Sequence, residues 1–160
     1  MKGYLANGLF TAGDCAVNVA IATSLRKVIP GIDLYVPQEN DAINDKNAYA
    51  DSVTIAQADS KELLESDFLV AVIDGVEIDA GVAAEIGIFS TTGKPIFALY
   101  TDIRQLGRDN RRKLDALVED ATENQFMYRN LFVVGLIKQS GGSISPTVPS
   151  LINTIKENMK

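Results

Sequence analysis

The sequence predicts an α/β fold: one domain over residues 1–160, a doubly wound sheet of about five parallel strands with helices on both faces. Three observations carry this. Short apolar runs alternate with segments of helical period along the chain, the pattern of successive βαβ units. The run Phe68-Leu69-Val70-Ala71-Val72-Ile73 is apolar at every position, as a central parallel strand covered on both faces must be. The length, 160 residues, suits a single domain that buries its own core without disulfides or metal.

The elements follow in order. Gly3 to Ala6 reads as the first strand, opening into the loop Asn7-Gly8-Leu9-Phe10. Val17, Ala20, Ile21, Leu25 and Val28 recur at helical spacing, and Pro30-Gly31 stops that helix. Asp33 to Val36 is a short second strand. Pro37 to Asn47, rich in Asn and Asp, is expected to loop over the sheet edge. Ala48 to Glu65 reads as helix with a break expected near Asp59. The central strand ends at Asp74-Gly75. Asp79 then precedes a helix from Ala80 to about Thr92, with Gly93 as its C-cap. Pro95 to Tyr100 is the next strand, and Thr101 to Glu123 carries one helix. Leu131 to Gln139 is an apolar helix or strand, followed by Ser140-Gly141-Gly142. Leu151, Ile152, Ile155 and Met159 mark a terminal helix. The resulting sheet is flavodoxin-like or Rossmann-like, and such sheets bind ligands beyond the carboxyl ends of their strands. Function is therefore expected after Ala6, Ile73 and Tyr100.

Composition narrows the chemistry. Fifteen Lys and Arg against twenty-one Asp and Glu give a net charge of −6, which argues against nucleic acid or an anionic membrane as partner. With no histidine there is no Ser-His-Asp triad, no Cys-His dyad and no imidazole metal ligand. Cys15 is the single cysteine, so an internal disulfide and a multi-cysteine zinc site are excluded; it reads as a small buried hydrophobe. Acid-base work near neutral pH falls to carboxylates, Tyr, Lys or Cys15, and neither metal nor cofactor is expected. No G-x-x-x-x-G-K-[ST] or G-x-G-x-x-G occurs, which weakens a nucleoside-triphosphate or dinucleotide reading. MKGYLANGLF lacks the apolar run of a signal peptide, and the expected location is cytoplasmic.

Glu85 is the first candidate for chemistry. It is the only ionisable residue between Ala80 and Gly93, among Val82, Ala83, Ala84, Ile86, Ile88 and Phe89. A lone carboxylate on so apolar a helix costs free energy unless it is paired, protonated or facing a cleft. The small residues Gly81, Ala83, Ala84 and Gly87 would admit a ligand closely. The bland alternative is a solvent-facing stripe. Asp74 and Asp79 follow the central strand at the expected ligand edge; taken singly, one is a turn residue and the other a helix N-cap. Together with Glu85 they form a carboxylate cluster, in which like charges raise one another's pKa and separate acid from base. Tyr4, on the first strand, either fills the core or extends its hydroxyl to a neighbouring carboxylate.

The blocks Tyr4-Leu5-Ala6-Asn7-Gly8-Leu9-Phe10, Ala56-Gln57-Ala58-Asp59, Phe68 to Gly75, Asp79-Ala80-Gly81-Val82-Ala83-Ala84-Glu85-Ile86-Gly87 and Asn130-Leu131-Phe132 occur in this order. Together they resemble the nucleoside 2-deoxyribosyltransferase family over most of the chain. The resemblance implies that Glu85 is the nucleophile attacking C1′ of deoxyribose. It implies that Asp59 and Asp79 contact the nucleobase and help protonate it on departure, and that the Tyr4 hydroxyl orients the nucleophile. Phe10 would sit beside the base, with Gly8, Gln57, Asp74 and Gly81 among the substrate-binding positions. Asn130 would reach the sugar 5′-hydroxyl of a neighbouring subunit, in a homo-oligomer such as a dimer-based tetramer or hexamer.

The chemistry of the residues agrees with that expectation. N-glycosidic cleavage passes through an oxocarbenium-like state that a carboxylate can stabilise and then trap. The base leaves only when protonated or hydrogen-bonded, which a carboxylic acid of raised pKa provides. The expected reaction is transfer of 2-deoxyribose from a deoxynucleoside to another free nucleobase. Two rivals exist. A deoxynucleoside 5′-monophosphate N-glycosidase needs a phosphate site, and Asn7-Gly8-Leu9-Phe10 lacks hydroxyls and basic groups. A non-catalytic nucleotide-sensing domain would have less need of the full set Tyr4, Asp59, Asp79 and Glu85.

Overall fold

The computed structural model describes residues 1–44 and 49–159. Five strands, β1 (Lys2–Ala6), β2 (Asp33–Tyr35), β3 (Phe68–Val72), β4 (Ile96–Leu99) and β5 (Ser143–Ser145), form one sheet in the order β2-β1-β3-β4-β5. Every pairing is parallel. The chain steps outward from β1 to β2 and then returns to the other flank of β1 as β3. Helices leaving β1 and β3 therefore cover opposite faces, and a crevice opens at the carboxyl ends of these two strands.

Side-chain alternation on the strands builds two cores. Leu5, Phe68, Val70, Val72, Phe97 and Leu99 point to one face, where α1 (Ala12–Val28) and α7 (Val148–Asn158) contribute Ile21, Leu25, Leu151 and Ile155. Tyr4, Ala6, Leu69, Ala71, Ile73, Ile96 and Ala98 point to the other. There α3 (Ser52–Glu65), α4 (Ala80–Ser90) and α6 (Leu131–Gln139) contribute Leu63, Val82, Ile86, Phe89, Val133 and Ile137. The expected two-faced sheet is present, with β3 buried throughout. Two further helices, α2 (Asp41–Asn44) and α5 (Arg111–Glu119), lie outside these cores. No helix among the described residues is long and apolar enough to cross a membrane.

Several local expectations change. The helix read from Ala48 begins at Ser52, capped by Asp51, which accepts from the Thr54 amide at 2.7 Å. It runs unbroken through Asp59, whose carboxylate accepts from the Tyr35 hydroxyl at 2.9 Å instead of competing for the helix's own amides. Ala48 itself lies outside the described residues, as does Asn47, the end of the expected edge loop. That loop is partly helical: a 3-10 turn at Pro37–Glu39 leads into α2. Leu131–Gln139 is helix rather than strand. Two 3-10 turns, Ile103–Gln105 and Ala121–Glu123, flank the single α-helix of the charged segment. The strand β5 was not expected. It follows Gly142, where a Cβ would lie 1.9 Å from the Ile96 carbonyl oxygen, so only glycine lets the chain close on β4. On α1, Ala20 is exposed, and Cys15 is half-buried with its Sγ donating to the Leu9 carbonyl at 3.3 Å rather than lying in the core.

Candidate active site

The crevice between β1 and β3 holds the ionisable cluster. As β1 ends, the chain leaves through Asn7-Gly8-Leu9-Phe10, and this loop is pinned by a buried polar residue of α1. Asn18 accepts from the Asn7 amide at 2.9 Å and donates to the Gly8 carbonyl at 3.0 Å and to Gln38 at 2.9 Å. Buried polar groups are kept when their bonds are made, and here those bonds hold the floor of the crevice.

Tyr4 is fully buried in β1, facing α4, and its hydroxyl donates to Oε1 of Glu85 at 2.5 Å. Glu85 comes from the second turn of α4, whose start is capped by Asp79. Both cap bonds, from the Gly81 and Val82 amides at 2.8 and 3.1 Å, go to Oδ1 of Asp79. Asp59, from α3, accepts at Oδ1 from the Tyr35 hydroxyl at 2.9 Å. The rings of Tyr4 and Tyr35 lie side by side, centroids 5.3 Å apart, so two tyrosine-carboxylate pairs stand next to each other.

Burial and mutual charge set the titration of the group. Burial pushes the Glu85 carboxyl up to about 7; the Tyr4 hydrogen bond opposes that, and the nearby charges of Asp59 and Asp79 add to it. Asp59 is also raised by burial, with the Tyr35 hydrogen bond pulling the other way. Tyr4 is pushed far above the ordinary phenol value, first by burial and then by the Glu85 charge, so it stays a hydrogen-bond donor.

Glu85, Asp59 and Asp79 line one cavity of about 260 Å³, with Asn7, Gly8, Phe10 and Gly81. Leu9, Pro37, Ile43, Ile55 and Val82 give it apolar walls. Phe10 is 81% exposed and forms the rim. Four of the acid and tyrosine positions and three substrate-binding positions expected from sequence thus converge. The others lie elsewhere. Asp74 accepts from the Thr101 amide and hydroxyl, each at 2.6 Å, and lines an adjoining cavity that shares Asn7, Gly8 and Asp79 with the first. Gln57 faces outward with Ser52, Val53 and Ser60. Asn130 is exposed and caps α6, its Oδ1 accepting from the Phe132 and Val133 amides at 3.0 and 3.3 Å, beside a separate cavity.

Three contributors escaped the sequence reading. Tyr35 sits at the carboxyl end of β2, where an aromatic reads as core. Asn18 is a polar residue on the inward stripe of Ile21, Ala22 and Leu25, a signal that was available. Arg129 is buried, with its guanidinium donating to the carbonyls of Gly75, Val76 and Tyr128. Nothing in a one-dimensional pattern marks it.

The strand order reverses at β1, and a tyrosine-bonded carboxylate lies in the crevice at that reversal. Residues 4–132 match the family model described as Nucleoside 2-deoxyribosyltransferase. The chain belongs to the nucleoside 2-deoxyribosyltransferase family. A comparison with curated proteins found no match. Among solved structures, a conserved protein from Enterococcus faecalis V583 is 52% identical with a TM-score of 0.91, over 99% of this chain and 98% of that one. A 2-deoxyribosyltransferase from Leishmania mexicana shares the fold at 16% identity and TM-score 0.65, over 99% of both chains. A CMP N-glycosidase from Clostridium botulinum does so at 15% identity and TM-score 0.51, again over 99% of both.

Proposed function

We propose that this protein transfers 2-deoxyribose between nucleobases through a covalent deoxyribosyl-glutamate, with net retention at C1′. The observation that carries the reading is Glu85: a carboxylate in an otherwise apolar helix, bonded at one oxygen by Tyr4 and facing a cavity with two further acids.

Tyr4 occupies Oε1, so Oε2 is the attacking oxygen. It forms a bond to C1′ as the bond from C1′ to the base nitrogen breaks. The electron pair goes to the base, which takes a proton from a carboxylic acid, Asp59 or Asp79. In the second half, the nitrogen of an acceptor base attacks C1′ from the opposite side, frees the Glu85 carboxylate and returns its proton to the acid. Two inversions leave the configuration unchanged, and atoms balance without an outside reagent. Asn130 serves the sugar 5′-hydroxyl of a neighbouring subunit in a homo-oligomer. In support, it is exposed, its Nδ2 is spare after capping α6, and Tyr128, Leu131 and Phe132 beside it are 72–74% exposed.

The uncharged nucleoside is favoured over its 5′-monophosphate by the cavity's chemistry. Among the described residues that line it there are three carboxylates and no Lys, Arg, Ser or Thr. A phosphate there would meet repulsion with no compensating cation or hydroxyl in that lining. The test is incubation with deoxyinosine or thymidine plus a panel of free bases, followed by chromatography, in parallel with the corresponding 5′-monophosphates. New deoxynucleosides are expected from the nucleosides alone. Free base released only from the monophosphates, with no exchange, would overturn the reading in favour of a hydrolase; binding of nucleoside without turnover would favour a sensor.

A further inference from the structure

We propose that Tyr35, oriented by Asn40, is a positioning residue that reserves Oδ2 of Asp59 as the proton-carrying oxygen presented to the nucleobase. The inference rests on the reading above, in which Asp59 serves the base, and adds the device that sets where its proton sits.

The argument is one of donors and acceptors. Asn40 ends the Pro37–Glu39 turn, and its Oδ1 accepts the Ala42 amide at 3.2 Å. That bond fixes which way round the side-chain amide lies, so the group facing Tyr35 is Nδ2, a donor. It donates to the Tyr35 oxygen at 2.9 Å. A phenol has one proton. With its oxygen accepting from Asn40, the Tyr35 proton is directed to Oδ1 of Asp59, 2.9 Å away. Oδ1 is therefore an acceptor, and a proton borne by the Asp59 carboxyl belongs on Oδ2. No described residue bonds Oδ2, while Asp59 lines the cavity. The chain runs from the Pro37–Asn44 segment, which walls the cavity through Pro37 and Ile43, to the acid itself. It mirrors Tyr4 and Glu85, where the hydroxyl takes Oε1 and leaves Oε2 for the sugar.

Around Asp59, Tyr35 from β2 bonds it, Tyr4 from β1 and Glu85 from α4 feel its charge, and Asp79 before α4 lines the same cavity; Glu62, on its own helix, acts on Tyr35 and is ion-paired to Lys2 at 2.7 Å. Of these, the Tyr35 bond alone lowers its pKa. Removing the hydroxyl must therefore raise it.

The experiment is a double-mutant cycle of Tyr35→Phe with Asp59→Asn, read as exchange kcat and KM from pH 5 to 10. Tyr35→Phe keeps the ring beside Tyr4. It is expected to lower kcat about 10- to 100-fold with little change in donor KM, and to move the alkaline limb to higher pH. In the Asp59→Asn background the same change is expected to cost no more than about 2-fold. Asn40→Asp keeps an oxygen for the Ala42 amide but accepts the Tyr35 proton, so it should slow exchange in the same direction, and it serves where Tyr35→Phe does not fold. An unshifted limb, an equal loss in the Asp59→Asn background, or an unaltered Asn40→Asp rate overturns the relay. Absence of exchange in the unmutated chain would instead sink the transferase reading beneath it.

Discussion

Two regions share the carboxyl edge of this sheet and treat their carboxylates in opposite ways. At the end of β1 and β3, Glu85, Asp59 and Asp79 meet in a small cavity whose described lining contains no cation. Burial and like charge raise Glu85 and burial raises Asp59. At the end of β4 and β5, Asp102 is held by the Arg104 amide and guanidinium at 2.5–3.1 Å, with Arg129 at 3.8 Å. Those bonds lower its carboxyl to about 2. Asp102 also lines a cavity of about 1080 Å³, far roomier than the first. Size does not make the site. What separates the regions is whether a carboxylate is supplied with cations, which lock it as a structural anion, or with phenols and neighbouring acids, which leave it able to exchange a proton or attack.

The contrast breaks most visibly at Glu85. Glu85→Ala is expected to abolish base exchange, by on the order of 10⁴-fold or more, while circular dichroism stays native. Exchange retained at even a tenth of the original rate would mean that the nucleophile lies elsewhere. Tyr4→Phe comes next. The hydroxyl lowers the Glu85 pKa, so its loss raises the pKa above the present value of about 7. In the proposed reaction the deprotonated form attacks; activity is therefore expected to fall as pH drops through that pKa, and the variant's acid limb to lie higher. A kcat/KM profile from pH 5 to 9 should show the limb near 7 in the parent, an upward shift in Tyr4→Phe, and a larger deficit at pH 6 than at pH 9.

Legibility in the sequence followed the same division. β3 and α4 were readable because their apolar patterns are long and uninterrupted, and Glu85 stood out as the single charge on α4. The acids of the cavity lie on segments contiguous with motifs. The partners that tune them do not. Tyr35 and Asn40 act on Asp59 from β2 and the turn after it, across the crevice, and no spacing along the chain encodes that meeting. β5 escaped notice because three residues, two of them serines, carry no periodicity, and the requirement for Gly142 arises only from the Ile96 carbonyl it approaches. Gln57 belongs to the matching motif yet faces outward. A motif aligns positions along a helix, but the helix decides which of them reach the cavity.

The comparison also has a thermodynamic edge. A folded-state pKa of about 7 against an ordinary 4.5 means that the native state favours protonated Glu85. The stability associated with that proton is full below about pH 4.5 and is lost as pH rises through 7. At pH 8 the protein bears the cost of a buried charge, on the order of 1–3 kcal/mol after allowance for partial solvent screening. Glu85→Gln, which cannot ionise, is therefore expected to raise the melting temperature at pH 8, by several degrees for a domain of this size, and to do so less at pH 5. Equal effects at both pH values would show that the site's acids are not strained by their surroundings.

The smallest expected effect tests the other side of the comparison. Asp102 contributes through Arg104 and Arg129, and its lowered carboxyl means that this contribution is present above about pH 4 and disappears as pH falls towards 2. Asp102→Asn should lower the melting temperature at pH 7, lose that penalty at pH 2–3, and leave exchange rates within about 2-fold, because the cation-held anion performs no proton transfer. Arg129 ties the same region to the Gly75 and Val76 carbonyls ahead of Asp79, and Thr101 ties it to Asp74, so these are routes by which the change could travel. A fall in kcat beyond that range, with KM unaltered, would show that the structural end of the sheet edge sets the geometry of the reactive one.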